Sequence, residues 1–118
     1  METRTRLPER GFYYHYKHDP NGPVNNYAYE VIGVGRHTEN NCAREDRLMV
    51  IYRPLYEEAT VFREGKLFDL RPLDMFMEDV EKDGRKIPRF RKVTHDETIA
   101  HLGATMVKMY HDRVLIIA

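Results

Sequence analysis

What most constrains this chain is the turn chemistry that cuts it into short β-prone runs before residue 94. Asp19-Pro20, Asn21-Gly22 and Pro23 crowd one stretch, and Pro54, Pro72 and Asp83-Gly84 follow. Proline lacks the amide that a ladder or a helix interior needs, while Asn-Gly and Asp-Gly accept the positive φ of tight turns. Between these breaks lie Phe12 to Lys17, Tyr27 to Gly35, Leu48 to Tyr52, Leu67 to Leu70 and Ile87 to Val93. Each is aromatic or aliphatic and short, so each reads as a strand. In the second, Tyr27, Tyr29 and Val31 fall on one face and Ala28, Ile32 and Val34 on the other. Gly33 and Gly35 there signal a bend or a close backbone approach. Arg36 to Arg47 and Tyr56 to Lys66 are polar connections, the latter pinned by Val61 and Phe62. Pro72 to Met77 suits a short helical turn begun by proline.

After Val93 the pattern changes. Thr94 and Glu97 fit a capping box, and Ile99, Leu102, Met106 and Tyr110 recur at three- and four-residue steps. This predicts a helix, weakened by Gly103; a hairpin turning at His111-Asp112 is the alternative. Val114 to Ile117 is strand-like and needs cover, in the sheet or against a second copy of the chain. The 113–117 segment is therefore the candidate homo-oligomer contact. The chain divides into a loose arm over residues 1–11, a β-domain over 12–93, and a helix and strand over 94–118 packed on it or on a partner subunit. A small antiparallel barrel or sandwich of about five strands follows.

At 118 residues the chain holds one domain, and 42% hydrophobic residues supply its core. Lysine plus arginine and aspartate plus glutamate both count 19, and zero net charge argues against a dedicated non-specific nucleic-acid binder. Locally, though, Lys82, Arg85, Lys86, Arg89, Arg91 and Lys92 face one acid, Asp83. That run is either a solvated turn or a phosphate-facing patch built on Arg85, Lys86, Arg89 and Arg91. Nucleic acid is thus a conceivable but unfavoured partner. Cys42 is the one cysteine, which leaves no internal disulfide and no cysteine zinc site. With no signal-like apolar run near Met1 and no apolar stretch of membrane length, a cytoplasmic protein without a membrane partner is expected.

Several motif readings fail on their own chemistry. His37-Thr38-Glu39 has the His-x-Glu of zinc deaminases but lacks their paired cysteines. His15, His18 and His37 are weak metal candidates, since imidazoles from separate strands and loops form no spacing motif. Cys42 lies among Glu39, Glu45 and Asp46, which disfavour a thiolate nucleophile. Gly33-Val34-Gly35 lacks the lysine and helix of a phosphate loop. No cofactor is expected.

A cluster of tyrosine, arginine and histidine is the more credible site. Tyr16, Tyr29, Tyr52 and Tyr56 offer flat faces with polar tips, and Arg53 and Arg71 offer forks for carboxylate or phosphate. Tyr52 and Arg53 are neighbours in a strand, so they point to opposite faces. Arg71 ends a strand; its structural alternative is an interior ion pair with Glu30 or Glu39. The candidate ligand-binding set is Tyr16, Lys17, Tyr29, His37, Tyr52, Tyr56 and Arg71, with His37 and Glu39 as weak acid–base candidates.

In order, His15-Tyr16-Lys17, Tyr29 through Val34, His37-Thr38-Glu39, Val50 through Tyr56, Arg71 through Phe76 and Gly84 through Phe90 resemble one small bacterial domain-of-unknown-function family, number 1653. The resemblance covers roughly residues 13–92, and Arg71-Pro72-Leu73-x-Met75-Phe76 is its most telling block. It implies a compact SH3-like β-domain and no established activity. The Lys17 to Tyr27 connection is longer than the family's turn, and residues 93–118 lie beyond its core. The functional expectation is a non-enzymatic binding module for a small anionic ligand such as a nucleotide or nucleotide-derived signal. The alternatives are a protein-interaction adaptor with an aromatic groove, or a hydrolase using His37 and Glu39.

Overall fold

A computed structural model describes residues 6–39, 41–57 and 67–110. Among them run β1 (Gly11–His15), β2 (Ala28–Arg36), β3 (Leu48–Pro54), β4 (Asp69–Pro72), α1 (Leu73–Met77), β5 (Asp79–Lys82), β6 (Arg85–Pro88), β7 (Phe90–Lys92) and α2 (Asp96–Tyr110). A single 3-10 turn, Arg44–Asp46, lies in the connection before β3. The domain is mainly β, with antiparallel sheets and a C-terminal helix. Five strands pair in the order β4-β3-β2-β1-β7, and β5 and β6 form a separate hairpin.

The sheet is open rather than a closed barrel, because among the described residues β4 and β7 are edges that do not meet. The expected strand from Ile87 to Val93 is the reason. It breaks at Arg89, whose amide bonds Glu78 on the hairpin side and whose carbonyl accepts from Tyr16 on the sheet side. Ile87 and Pro88 therefore pair with β5, and only three residues remain as β7. The β5–β6 turn is the Asp83-Gly84 pair, both at positive φ (53° and 75°), as a type I′ hairpin requires.

A bulge corrects the expected faces of β2. Val31 pairs with Tyr52 and Gly33 with Ile51, so Ile32 is an extra residue. One inserted residue inverts the alternation beyond it, and Val34 joins Val31 and Tyr13 on the same face rather than opposing them. Gly35 marks the close approach: a Cβ there would stand 3.2 Å from Ile51 Cδ1.

Two apolar cores use the two faces of the sheet. On one, Tyr13, Val31, Val50, Tyr52 and Phe90 pack with Leu73 and Phe76 of α1. On the other, Ala28, Leu55 and Val93 pack with Leu102 and Tyr110 of α2. The helix presents the face expected, and its cap is shifted by one residue. His95, not Thr94, is the N-cap: the Thr98 amide donates to His95 Nδ1 at 3.4 Å and the Ile99 amide donates to the His95 carbonyl at 2.9 Å. The hairpin alternative at His111-Asp112, the 113–117 strand, the pinned Val61 and Phe62, and most of the N-terminal arm lie outside the described residues.

No helix among the described residues is long and apolar enough to cross a membrane.

Candidate functional site: an aromatic bed under Arg71

Alternation and register together assemble one face of the sheet. His15 pairs with Phe90 across β1 and β7, and Arg71 pairs with Val50 across β4 and β3. Paired residues share a face, and Tyr52 lies two residues from Val50, so these side chains emerge together. Tyr29 sits at their centre: its ring is 5.5 Å from Tyr52, 5.6 Å from Tyr56 and 5.6 Å from Phe90. Phe90 is backed by Phe76, stacked at 4.1 Å with an interplanar angle of 6°. The hydroxyls of Tyr29 and Tyr56 share a hydrogen bond at 2.5 Å.

Arg71 lies across this bed. Its Nε donates to the Tyr52 hydroxyl at 3.0 Å, Nη1 reaches Met75 Sδ at 3.6 Å, and the guanidinium carbon stands 5.7 Å from the centre of Phe90. No ion pair joins Arg71 to a carboxylate among the described residues. The structural role foreseen for it belongs to Arg53 instead, which donates to Glu30 on the opposite face.

His15 closes the site from β1. Its ring meets Phe90 edge-on at 5.2 Å and Tyr16 at 4.4 Å. Burial pushes its pKa down to about 4, and the positive charges of Arg71, Lys17 and Arg89 push the same way. The Lys17 amide donates to His15 Nδ1 at 3.2 Å, so the neutral imidazole carries its proton on Nε2. Cation, neutral donor and aromatic walls thus occupy one half-buried place, an arrangement that suits an anion.

Of the expected ligand set, Tyr29, Tyr52, Tyr56 and Arg71 gather here; Tyr16 reaches the site only through His15, Lys17 is exposed beside Tyr16, and His37 does not join them. Eight residues of strand separate Tyr29 from His37, roughly 26 Å at about 3.3 Å per residue. His37 and Glu39 are exposed at the far hairpin, where the Glu39 amide donates to His37 Nδ1 at 3.1 Å. His18 is stacked on Tyr14 at 3.5 Å, and its Nδ1 donates to the Asn26 carbonyl at 2.7 Å. His37 lies apart from His15 and His18, and no metal-holding cluster occurs among the described residues.

The basic patch is divided. Arg89 is paired with Glu78, Lys86 sits opposite Glu81, and Arg85 sits opposite Lys82. Arg91 leaves the sheet by a different strand. A depression of about 820 Å³ beside Cys42 is lined by Arg44, Arg47, Glu45 and Asp74, whose charges cancel.

Sequence reasoning missed Phe90 and Tyr27 as site residues. Tyr27, at φ 50°, holds its ring 5.7 Å from His15 and 5.8 Å from Tyr56. Tyr27 lies close to other tyrosines in the sequence and Phe90 stands alone among basic residues, and only register brings them together.

No curated protein and no solved structure matches the chain. The family described as "Protein of unknown function (DUF1653)" matches residues 11–92, from the start of β1 to the end of β7. The strands that carry the aromatic bed are thus those the family defines, and the chain belongs to the DUF1653 family.

Proposed function

We propose that this domain is a non-enzymatic binding module that holds a small anionic ligand, such as a nucleotide, on the aromatic bed. The observation that carries this reading is Arg71: half-buried, aimed by Tyr52, and without a carboxylate partner among the described residues. A guanidinium in such a setting gains from a bidentate anion what it lacks from the protein. Tyr27 and Tyr56 add ring faces on which a base can stack.

Native mass spectrometry of the purified protein, then titration with adenosine 5′-monophosphate, tests the reading. One fewer bound equivalent in Arg71→Ala than in the wild type, at nearly unchanged melting temperature, supports it. Equal binding by Arg71→Ala overturns it.

The adaptor reading has one observation in its favour. Leu70 on β4 and Met75 and Met77 on α1 are exposed at the sheet edge, 59%, 43% and 39%. A peptide added along β4 would cover them. Protection of the β4 amides by a peptide, with Arg71→Ala still binding it, would favour that reading. The hydrolase reading is left with His37 and Glu39 remote from the aromatic bed.

A further inference from the structure

A second cavity, of about 320 Å³, opens where β1 ends and the β5–β6 hairpin crosses it. It is lined by Tyr14, His15, Tyr16, His18, Pro20, Lys82, Ile87, Pro88 and Arg91. The lining contains two cations, two imidazoles and no carboxylate. Arg71, Tyr29, Tyr52 and Tyr56 are not part of it; His15 and Tyr16 form the wall between the two places.

The hairpin sorts its charges about this cavity. Val80 pairs with Ile87 and Lys82 with Arg85, so these four share one face. Ile87 and Lys82 line the cavity, and Arg85, the cross-strand partner of Lys82, stands next to that lining. Asp79 and Glu81 take the other face, with Pro88 and Lys86 opposite them. To the lining itself the hairpin contributes one base, Lys82, and no carboxylate. Arg91 adds its charge from β7, close enough to pull down the Tyr14 pKa that burial raises.

The walls are already held in place. Tyr14 and His18 stack at 3.5 Å, the Tyr14 hydroxyl donates to the Val24 carbonyl at 2.6 Å, and Lys82 Nζ donates to the Tyr16 carbonyl at 2.9 Å. The loop behind them is braced by Asn26, whose side chain bonds Asp19 and Pro23. Rigid aromatic walls with fixed positive charge need little ordering when a ligand enters. The volume is at the small end of ligand sites, which span roughly 300–1,000 Å³.

We infer that this cavity is a second anion site, separate from the Arg71 bed, and that it takes a small phosphate monoester carrying a planar ring. The phosphate lies toward Arg91 and Arg85, and the ring lies against the Tyr14, Tyr16 and His18 side. Lys82 keeps its bond to Tyr16 and contributes charge only.

The test is an amide-resolved NMR titration of the full chain with adenosine 5′-monophosphate, with adenosine as the uncharged control. The monophosphate is expected to move the amides of Tyr14, Tyr16, His18, Ile87 and Arg91, and adenosine to leave them in place. R85Q/R91Q should weaken binding here at least about tenfold, the loss of one charge-assisted hydrogen bond. Both side chains are exposed, so the variant keeps its melting temperature. R71A should leave these shifts intact, which separates this site from the Arg71 bed. No shift at these residues at millimolar ligand, or an unchanged affinity in R85Q/R91Q, overturns the inference.

Discussion

Arg53 and Glu30 face each other across β3 and β2 as a buried ion pair, with Nε 2.7 Å from Oε1. The guanidinium carbon also lies 4.1 Å from the centre of the Tyr110 ring, so the pair ties the sheet to the last turn of α2. Only 2% of Arg53 is exposed and its Nη1 has no hydrogen-bond partner among the described residues. Glu30 is thus the charge that makes burial of this arginine tolerable.

Removing that charge should be costly. Glu30→Ala is expected to lose about 3 kcal/mol in urea unfolding, because it leaves a buried cation uncompensated. Arg53→Met, which removes the cation and keeps an apolar stem over Tyr110, should lose less. The reverse order would show that the ion pair is not what Glu30 contributes.

Stability should fall in acid through His15. Its folded pKa, about 4, is below the ordinary 6.5, so between those values the unfolded chain takes up a proton that the folded chain refuses. The contribution is fully present above pH 6.5, declines as pH falls toward 4, and is constant below that. Comparing urea midpoints of wild type and His15→Gln at pH 7.5 and pH 4.5 checks this: the wild type should lose more. The groups that oppose the imidazolium are Arg71, Lys17 and Arg89, so an anion bound among them should shrink the difference.

Gly103 offers the opposite sign. It is interior to α2, and a Cβ built on it would stand 4.0 Å from the Phe12 ring, an ordinary contact. Gly103→Ala should therefore stabilise the domain by about 0.5–1 kcal/mol, read as a higher urea midpoint with an unchanged slope. A destabilised variant would mean that Phe12 cannot accept the methyl.

Deleting Ile32 should be tolerated. The register already skips this residue, so its loss would leave Val31 and Val34 two residues apart on the same face, with Val31 still opposite Tyr52 and Gly33 opposite Ile51. Circular dichroism is expected to show a folded chain for both the deletion and Ile32→Ala; an unfolded deletion would mean that the strand needs the bulge itself.

What could be read from the sequence was local. Asp83-Gly84, the Leu48 to Tyr52 strand and the apolar face of α2 each depend on neighbours within a few residues, and each is where it was expected. The errors came from pairing. A bulge at Ile32 is defined by its partner strand, and nothing in Tyr29 to Gly35 alone selects it over a plain bend. The exchange of roles between Arg53 and Arg71 has the same origin, because Glu30 meets whichever arginine the register sets opposite it. The cap moved from Thr94 to His95 because an imidazole nitrogen accepted the amide that a hydroxyl was expected to hold. Most of the aromatic bed was legible as residue types, while Phe90 and Tyr27 entered only through cross-strand neighbours.

The sheet with a core on each side also governs how the domain comes apart. Successive residues of β1 feed different cores, with Tyr13 in one and Phe12 and Tyr14 packed against the other. An opening that releases α2 strips the cover from Ala28 and Leu55, and it loosens the very strands that hold Phe76 and Phe90 together. The two cores are therefore expected to melt as one cooperative unit, with the amides of β2, β3 and α2 exchanging their hydrogens at a common, global rate.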